Sequence, residues 1–145
     1  MIAFEIRTRI SRPIEDVFSY VSDPLNFPSW NSAVQAVRKS SAGENGVGST
    51  YVMERELPSG RAVNELEVVV REWPRELAIR TTAGPTPFRY RYRFSAESDE
   101  TVVQLDAKVE LPGVANLLPQ LARRAVKKGV DDNFATLKQI LEASR

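Results

Sequence analysis

Residues 114–143, VANLLPQLARRAVKKGVDDNFATLKQILEA, decide how this chain is read. Val114, Leu117, Leu118, Leu121, Ala122, Ala125, Val126, Val130, Phe134, Leu137, Ile140 and Leu141 recur at steps of three and four. That spacing puts them on one side of a helix. From Leu118 onward such a helix runs about 38 Å at ~1.5 Å per residue. Pro119 falls in its first turn, where a missing N–H costs little. Gly129 sits near its middle and weakens it by about 1 kcal/mol relative to alanine, in exchange for a close approach or a bend. A helix this long needs a broad apolar partner.

The segments before it supply that partner. Phe88, Tyr90, Tyr92 and Phe94 alternate with Arg89, Arg91 and Arg93, and Val103, Leu105, Ala107, Val109 and Leu111 alternate with polar residues. These are the clearest strands, and Ser98-Asp99-Glu100 between them reads as a hairpin turn. Four more strands are predicted upstream, over 33–38, 48–57, 61–71 and 76–82. The connections are short, with turns at Pro58-Ser59-Gly60 and Trp73-Pro74, as in an antiparallel meander. Leu111-Pro112-Gly113 ends the sheet.

The chain opens on another strand, with Ile2, Phe4, Ile6, Thr8 and Ile10 inward. Ser11 reads as a helix cap before Pro13, and Glu15 and Asp16 favour a helix start. A short helix is predicted over Ile14–Val21, packing Val17, Phe18 and Val21. Asp23-Pro24 stops it, and a second short helical piece over Leu25–Asn31 is limited by Pro28. The order is strand, two short helices, six strands, long helix. A highly curved sheet wrapped around the last helix would bury the alternating faces and the helical stripe together. The space left between them is the natural ligand site.

The 145 residues fit one domain, residues 1–145, with a real core. A hydrophobic content of 42% with 27% charged residues reads as soluble and globular. Twenty basic residues against 19 acidic ones leave a net charge of +1, which gives no pull toward nucleic acid. The chain has no cysteine, which excludes disulfides, thiolate nucleophiles and zinc–thiolate sites. It has no histidine, which removes the commonest metal ligand and a Ser–His hydrolase. No metal and no cofactor are expected. The opening MIAFEIRTRI lacks a basic leader with an apolar core, and no apolar run is long enough to span a bilayer. The expectation is a cytoplasmic protein without integral membrane association, and association as a homodimer is left open.

Four stretches carry a resemblance. They are Ile10-Ser11-Arg12-Pro13-Ile14-Glu15-Asp16-Val17-Phe18, Ser22-Asp23-Pro24-Leu25-Asn26-Phe27-Pro28-Ser29-Trp30, Trp73-Pro74-Arg75-Glu76-Leu77 and Asn133 through Glu142. In these, and in its element order, nearly the whole chain resembles the START/Bet v 1-like (SRPBCC) superfamily, and within it the small polyketide cyclase/dehydrase-like group. The resemblance implies an α+β helix-grip fold. In that fold a curved seven-stranded antiparallel sheet wraps a long C-terminal helix, with two short helices after strand 1. Members carry lipids, bind hormones and natural products, or cyclise polyketides, so fold does not choose a function. Several related cyclases use histidine, tyrosine, aspartate or arginine in the cavity, and histidine is missing here.

Candidate cavity residues follow from strand phase. Trp30 sits at the expected cavity mouth, where it stacks on a ligand or plugs one end of the grip. Phe88, Tyr90 and Tyr92 share one face, and a tyrosine adds a hydroxyl donor to apolar bulk. Arg55 is in phase with Tyr51 and Met53. If inward, it needs an anionic partner or a wet cavity, and it suits a carboxylate, enolate or phenolate. Asn64 is the polar handle on the phase shared by Leu66 and Val68. Ile79 on the next strand, and Leu118, Ala122 and Phe134 on the terminal helix, complete the assigned wall. Arg123, Arg124, Lys127 and Lys128 read as a solvated helix face. The aromatics lie opposite the arginine stripe, which argues against single-stranded nucleic acid.

The leading expectation is non-covalent binding of a small hydrophobic or amphipathic molecule between sheet and helix. One alternative is a cyclase, dehydratase or isomerase in the same cavity, with Arg55 stabilising enolate charge and a tyrosine relaying a proton. The other is a protein interaction module with a filled cavity and an exposed apolar patch.

Overall fold

The computed structural model describes residues 1–111, 113 and 117–144. Val114, assigned to the helical stripe, and Pro112, assigned to the end of the sheet, lie outside the described residues. Strand β1 spans Ile2–Ile10, β2 Val34–Lys39, β3 Thr50–Leu57, β4 Gly60–Glu72, β5 Glu76–Ala83, β6 Phe88–Glu97 and β7 Glu100–Val109. Helix α1 covers Ile14–Val21, a 3-10 turn Pro24–Asn26 leads into α2 at Phe27–Trp30, and α3 runs over Pro119–Ala143. The seven strands form one antiparallel sheet in the order β1-β7-β6-β5-β4-β3-β2. Strands β2 to β7 form a meander. β1 joins beside β7, from Ile2 opposite Val109 to Ile10 opposite Thr101.

Alternation builds the core as expected. Ile2, Phe4, Ile6 and Ile10 of β1, Phe88, Tyr92 and Phe94 of β6, and Val103, Leu105, Ala107 and Val109 of β7 are buried. Arg89, Arg91 and Arg93 face out, and Arg91 pairs with Glu76 at 3.2 Å and Arg93 with Asp106 at 2.5 Å. Ser98 takes a positive φ of 56° in the two-residue turn of the β6–β7 hairpin, as a tight primed turn demands. Register shifts interrupt the β4–β5 pairing between Glu65 and Leu66 and between Val68 and Val70. Bulges of this kind bend a strand and increase its twist. The second one leaves both Val70 and Arg71 part-buried, and the Arg71 guanidinium lies 5.4 Å from the centre of the Phe18 ring.

The short helices follow their prolines. α1 ends before Asp23-Pro24, and Val17, Phe18 and Val21 are its buried residues. Ser11 does not cap it, because the N-cap position belongs to Pro13 and no side-chain bond is made there. Ser11 serves a longer-range connection. Its hydroxyl donates to Glu100 Oε2 at 2.8 Å and its backbone N–H to Glu142 Oε2 at 2.8 Å. Arg12 donates from Nη1 to the Leu141 carbonyl at 2.7 Å and from Nη2 to Asp16 at 2.8 Å. A helix C-terminus leaves carbonyls without partners, and the segment after β1 answers one of them.

α3 divides into two halves. Phe134, Leu137 and Leu141 are buried in the core, each stabilising by roughly 1.5–3 kcal/mol through burial. Toward the N-terminus the expected stripe does not meet the sheet: Leu117, Leu118 and Leu121 are 77%, 60% and 59% exposed. The inward residues there are Ala122, Val126, Gly129 and Val130, too small to reach the far wall. That contrast in side-chain size opens the cavity.

Candidate functional site

A cavity of about 560 Å³ lies between the N-terminal half of α3 and the concave face of the sheet. Val34, Met53, Arg55, Ile79, Phe88, Tyr90, Tyr92 and Val109 form the sheet wall, and Phe27 and Trp30 close it from α2. Leu57-Pro58-Ser59 at the β3–β4 hairpin and Thr86 in the β5–β6 loop border it.

The rings form a connected wall. Phe88 and Tyr90 have centroids 4.6 Å apart, and Tyr90 meets Tyr92 edge-on at 6.2 Å. Tyr92 meets Phe134 at 6.3 Å, and Phe134 stacks on Trp30 at 6.0 Å. Edge-to-face and offset geometries of this kind add to the gain from burial alone. Among the described residues the buried Trp30 indole N–H has no hydrogen-bond partner. Burial pushes the Tyr90 phenol up to about 12, with nearby Arg55 pulling the other way. Burial raises the Tyr92 phenol too, and Tyr90 beside it adds to the shift. Both are therefore neutral hydroxyls at physiological pH, able to donate and accept.

Arg55 is the one basic side chain among the described residues of the lining. Its Nε donates to Asn64 Oδ1 at 2.9 Å, and its Nη2 to the carbonyls of Pro85 and Thr86 at 3.0 and 3.1 Å. Its guanidinium carbon lies 5.4 Å from the centre of the Phe88 ring, within cation–π range. Desolvation lowers its pKa and Tyr90 opposes that shift. Asn64 is 0% exposed and spends its amide inside the protein, donating to the carbonyls of Ala83 at 3.2 Å and Pro85 at 2.8 Å.

Of the residues assigned to the site from sequence, the structure brings Trp30, Met53, Arg55, Ile79, Phe88, Tyr90, Tyr92 and Ala122 to the cavity surface. Asn64 lies behind Arg55 and holds it. Phe134 lies behind Trp30 and Tyr92. Tyr51, Leu66 and Val68 are buried core on the same sheet face and lie off the cavity wall, because β3 and β4 extend past the cavity into the closed part of the core. Leu118 is the N-cap residue of α3 and faces solvent. Arg123, farther along the helix, donates from Nε to the Ala3 carbonyl of β1 at 2.9 Å and so does not belong to a wholly solvated face.

Phe27, Thr86, the hairpin tip and Asn133 border the cavity but were not assigned to it from the sequence. Asn133 is buried on α3 and its Oδ1 accepts from the Ser32 backbone N–H at 3.1 Å, a long-range bond that no local pattern announces. A second hollow of about 970 Å³ is bordered mainly by outward charged residues, including Arg80, Arg89 and Lys108. Among the described residues no group of three or more His, Cys, Asp or Glu side chains is placed to hold a metal. No helix among them is long and apolar enough to cross a membrane.

A sheet gripping a helix around an apolar cavity defines a ligand-binding fold class. The family model for polyketide cyclase / dehydrase and lipid transport matches residues 1–142, and the chain belongs to that family. Among solved structures it is similar to a START superfamily protein from Mycobacterium smegmatis, at 16% identity and a TM-score of 0.80, covering 99% of each chain. It is similar to TTHA0849 from Thermus thermophilus at 16% identity and a TM-score of 0.83, over 99% of this chain and all of that one. It also matches the di-domain ARO/CYC StfQ from the steffimycin biosynthetic pathway, at 13% identity and a TM-score of 0.77. That match covers 98% of this chain and 51% of StfQ. A search of curated protein sequences finds no match. These likenesses establish the family and the helix-grip fold.

Proposed function

We propose that the protein binds one small, largely hydrophobic molecule, non-covalently, in the cavity between the sheet and α3. The observation that carries this reading is the open volume of about 560 Å³ enclosed by aromatic and aliphatic side chains. Wall residues supply affinity by burying apolar surface of the ligand. Tyr90, Tyr92 and Arg55 orient its polar atoms. The interaction-module reading needs a filled cavity, and the open volume weighs against it.

A catalytic reading draws support from one further observation. The Arg55 cation and the Tyr90 phenol border the same cavity and influence each other electrostatically. A cyclisation, dehydration or isomerisation would use the guanidinium on developing enolate charge and the phenol as proton relay.

Native mass spectrometry of freshly purified protein, with identification of whatever denaturation releases, tests the binding reading. The expected result is a stoichiometric small organic molecule. Bare protein that also gains no thermal stability from a broad set of hydrophobic metabolites would overturn it. Turnover of a released molecule would favour the catalytic reading.

A further inference from the structure

We propose that the molecule taken up by this cavity is an organic monoanion whose planar oxyanion head, a carboxylate or phenolate, sits on Arg55. We assign Asn64 and Gly84 as the positioning residues of that guanidinium. The proposal rests on the cavity-binding reading and specifies its ligand class.

The guanidinium is held without being neutralised. Each of its recorded hydrogen-bond partners, the Asn64 amide oxygen and the carbonyls of Pro85 and Thr86, is uncharged. The ion pairs among the described residues engage other cations, and Glu54 beside it pairs with Arg61 instead. Glu56 at the cavity rim is exposed and falls on the opposite strand phase. A part-buried cation left without an anion is costly, and an arriving anion removes that cost. The protein bonds use Nε and Nη2, whereas none of them uses the Nη1 end. Arginine matches planar oxyanions well. A single cation among the described residues of the lining favours one negative charge over the two of a phosphate monoester.

The holding device is built from backbone constraint. Gly84 has a φ of +101°, where a side chain is strained. A Cβ there would come within 2.3 Å of the Val63 carbonyl oxygen and 2.6 Å of Asn64 Nδ2. The loop can therefore lie flat on Asn64, whose amide takes the carbonyls of Ala83 and Pro85. That same contact delivers the Pro85 and Thr86 carbonyls to Arg55. The guanidinium is thus oriented before a ligand arrives, which lowers the entropy cost of binding. The aromatic wall beyond Phe88 receives the apolar body.

The test compares matched probes by titration calorimetry: 2-naphthoate against 2-naphthamide, with the corresponding anthracene pair as the larger set. The wild-type protein should bind each carboxylate at least about tenfold more tightly than its amide, the scale of one charge-assisted hydrogen bond. Arg55→Gln should abolish that preference, bringing the carboxylate-to-amide ratio to about one. Asn64→Ala and Gly84→Ala should shrink the carboxylate-to-amide ratio, which a general loosening of the cavity would leave alone. Equal affinity for carboxylate and amide in the wild type would overturn the anion class and leave the cavity reading standing. That comparison needs no variant to fold. Binding of none of the four probes would count against the cavity reading itself, and this proposal would fall with it. An unchanged ratio in Asn64→Ala would overturn the positioning role alone.

Discussion

The Phe134 ring lies parallel to the Trp30 indole, with centroids 6.0 Å apart and planes inclined by 8°. The contact fastens α3 to α2 and supports the end of the cavity that Trp30 closes. Phe134 is 2% exposed and also meets Tyr92 edge-on. Phe134→Ala should therefore destabilise the fold by about 3–5 kcal/mol in urea denaturation. Leu121→Ser, on the same helix but facing solvent, should stay within about 0.5 kcal/mol of wild type. Equal effects of the two substitutions would contradict the division of α3 into a packed half and a cavity half.

Gly84 should tolerate no side chain. An added methyl group would collide with backbone at Val63 and would sit at a φ of +101°. Gly84→Ala is expected to cost about 2 kcal/mol or more. Gly46→Ala, where an added Cβ meets nothing within 4 Å, should change stability by less than about 0.5 kcal/mol. Thermal melts of the two variants side by side decide the point.

Gly129 behaves in the opposite way. It lies inside α3, borders the cavity, and has open space around the position of a Cβ. Gly129→Ala should stabilise the protein by roughly 0.5–1 kcal/mol through helix propensity. Gly129→Phe should fill the cavity and abolish uptake of small apolar molecules while the protein stays folded. Undiminished uptake by a folded Gly129→Phe variant would remove the cavity from the account.

The two cavity phenols give a pH signature. Tyr90 is raised from 10.0 to about 12 in the folded protein. An acid whose folded pKa is raised contributes stability that is complete below the unfolded pKa and is lost as pH rises through the folded one. Stability should thus fall between about pH 10 and pH 12, and Tyr92 acts in the same direction. Absorbance at 295 nm should show these phenolates appearing together with loss of the fold. Their full ionisation near pH 10 in intact protein would show that they are not enclosed.

The reading of strands and helices drew on alternation and periodicity, which local sequence states directly. Ile2 to Ile10, Phe88 to Phe94 and Val103 to Val109 each show the inside and outside of the sheet by composition alone. Ser11 shows where that stops. Its position before Pro13 suggests a local cap, yet its partners are Glu100 and Glu142, 89 and 131 residues away. The candidate site was legible to the same degree. Strand phase put Arg55, Tyr90 and Tyr92 on the concave face, whereas it had no means to tell wall from filler among Tyr51, Leu66 and Val68.

The sequence by itself determined the order of elements, the inward face of each strand, the amphipathic last helix and the absence of histidine and cysteine chemistry. These are properties of neighbours along the chain. Tertiary structure decided where the helix meets the sheet and where it stands off. It closed the core at Phe134, Leu137 and Leu141 and left a cavity over Ala122, Val126 and Gly129. It also turned Asn64 from a prospective ligand contact into the support of Arg55, through a loop held by Gly84. The physical reason is that volume and hydrogen-bond partners are shared between residues far apart in sequence, and only folding sets those distances.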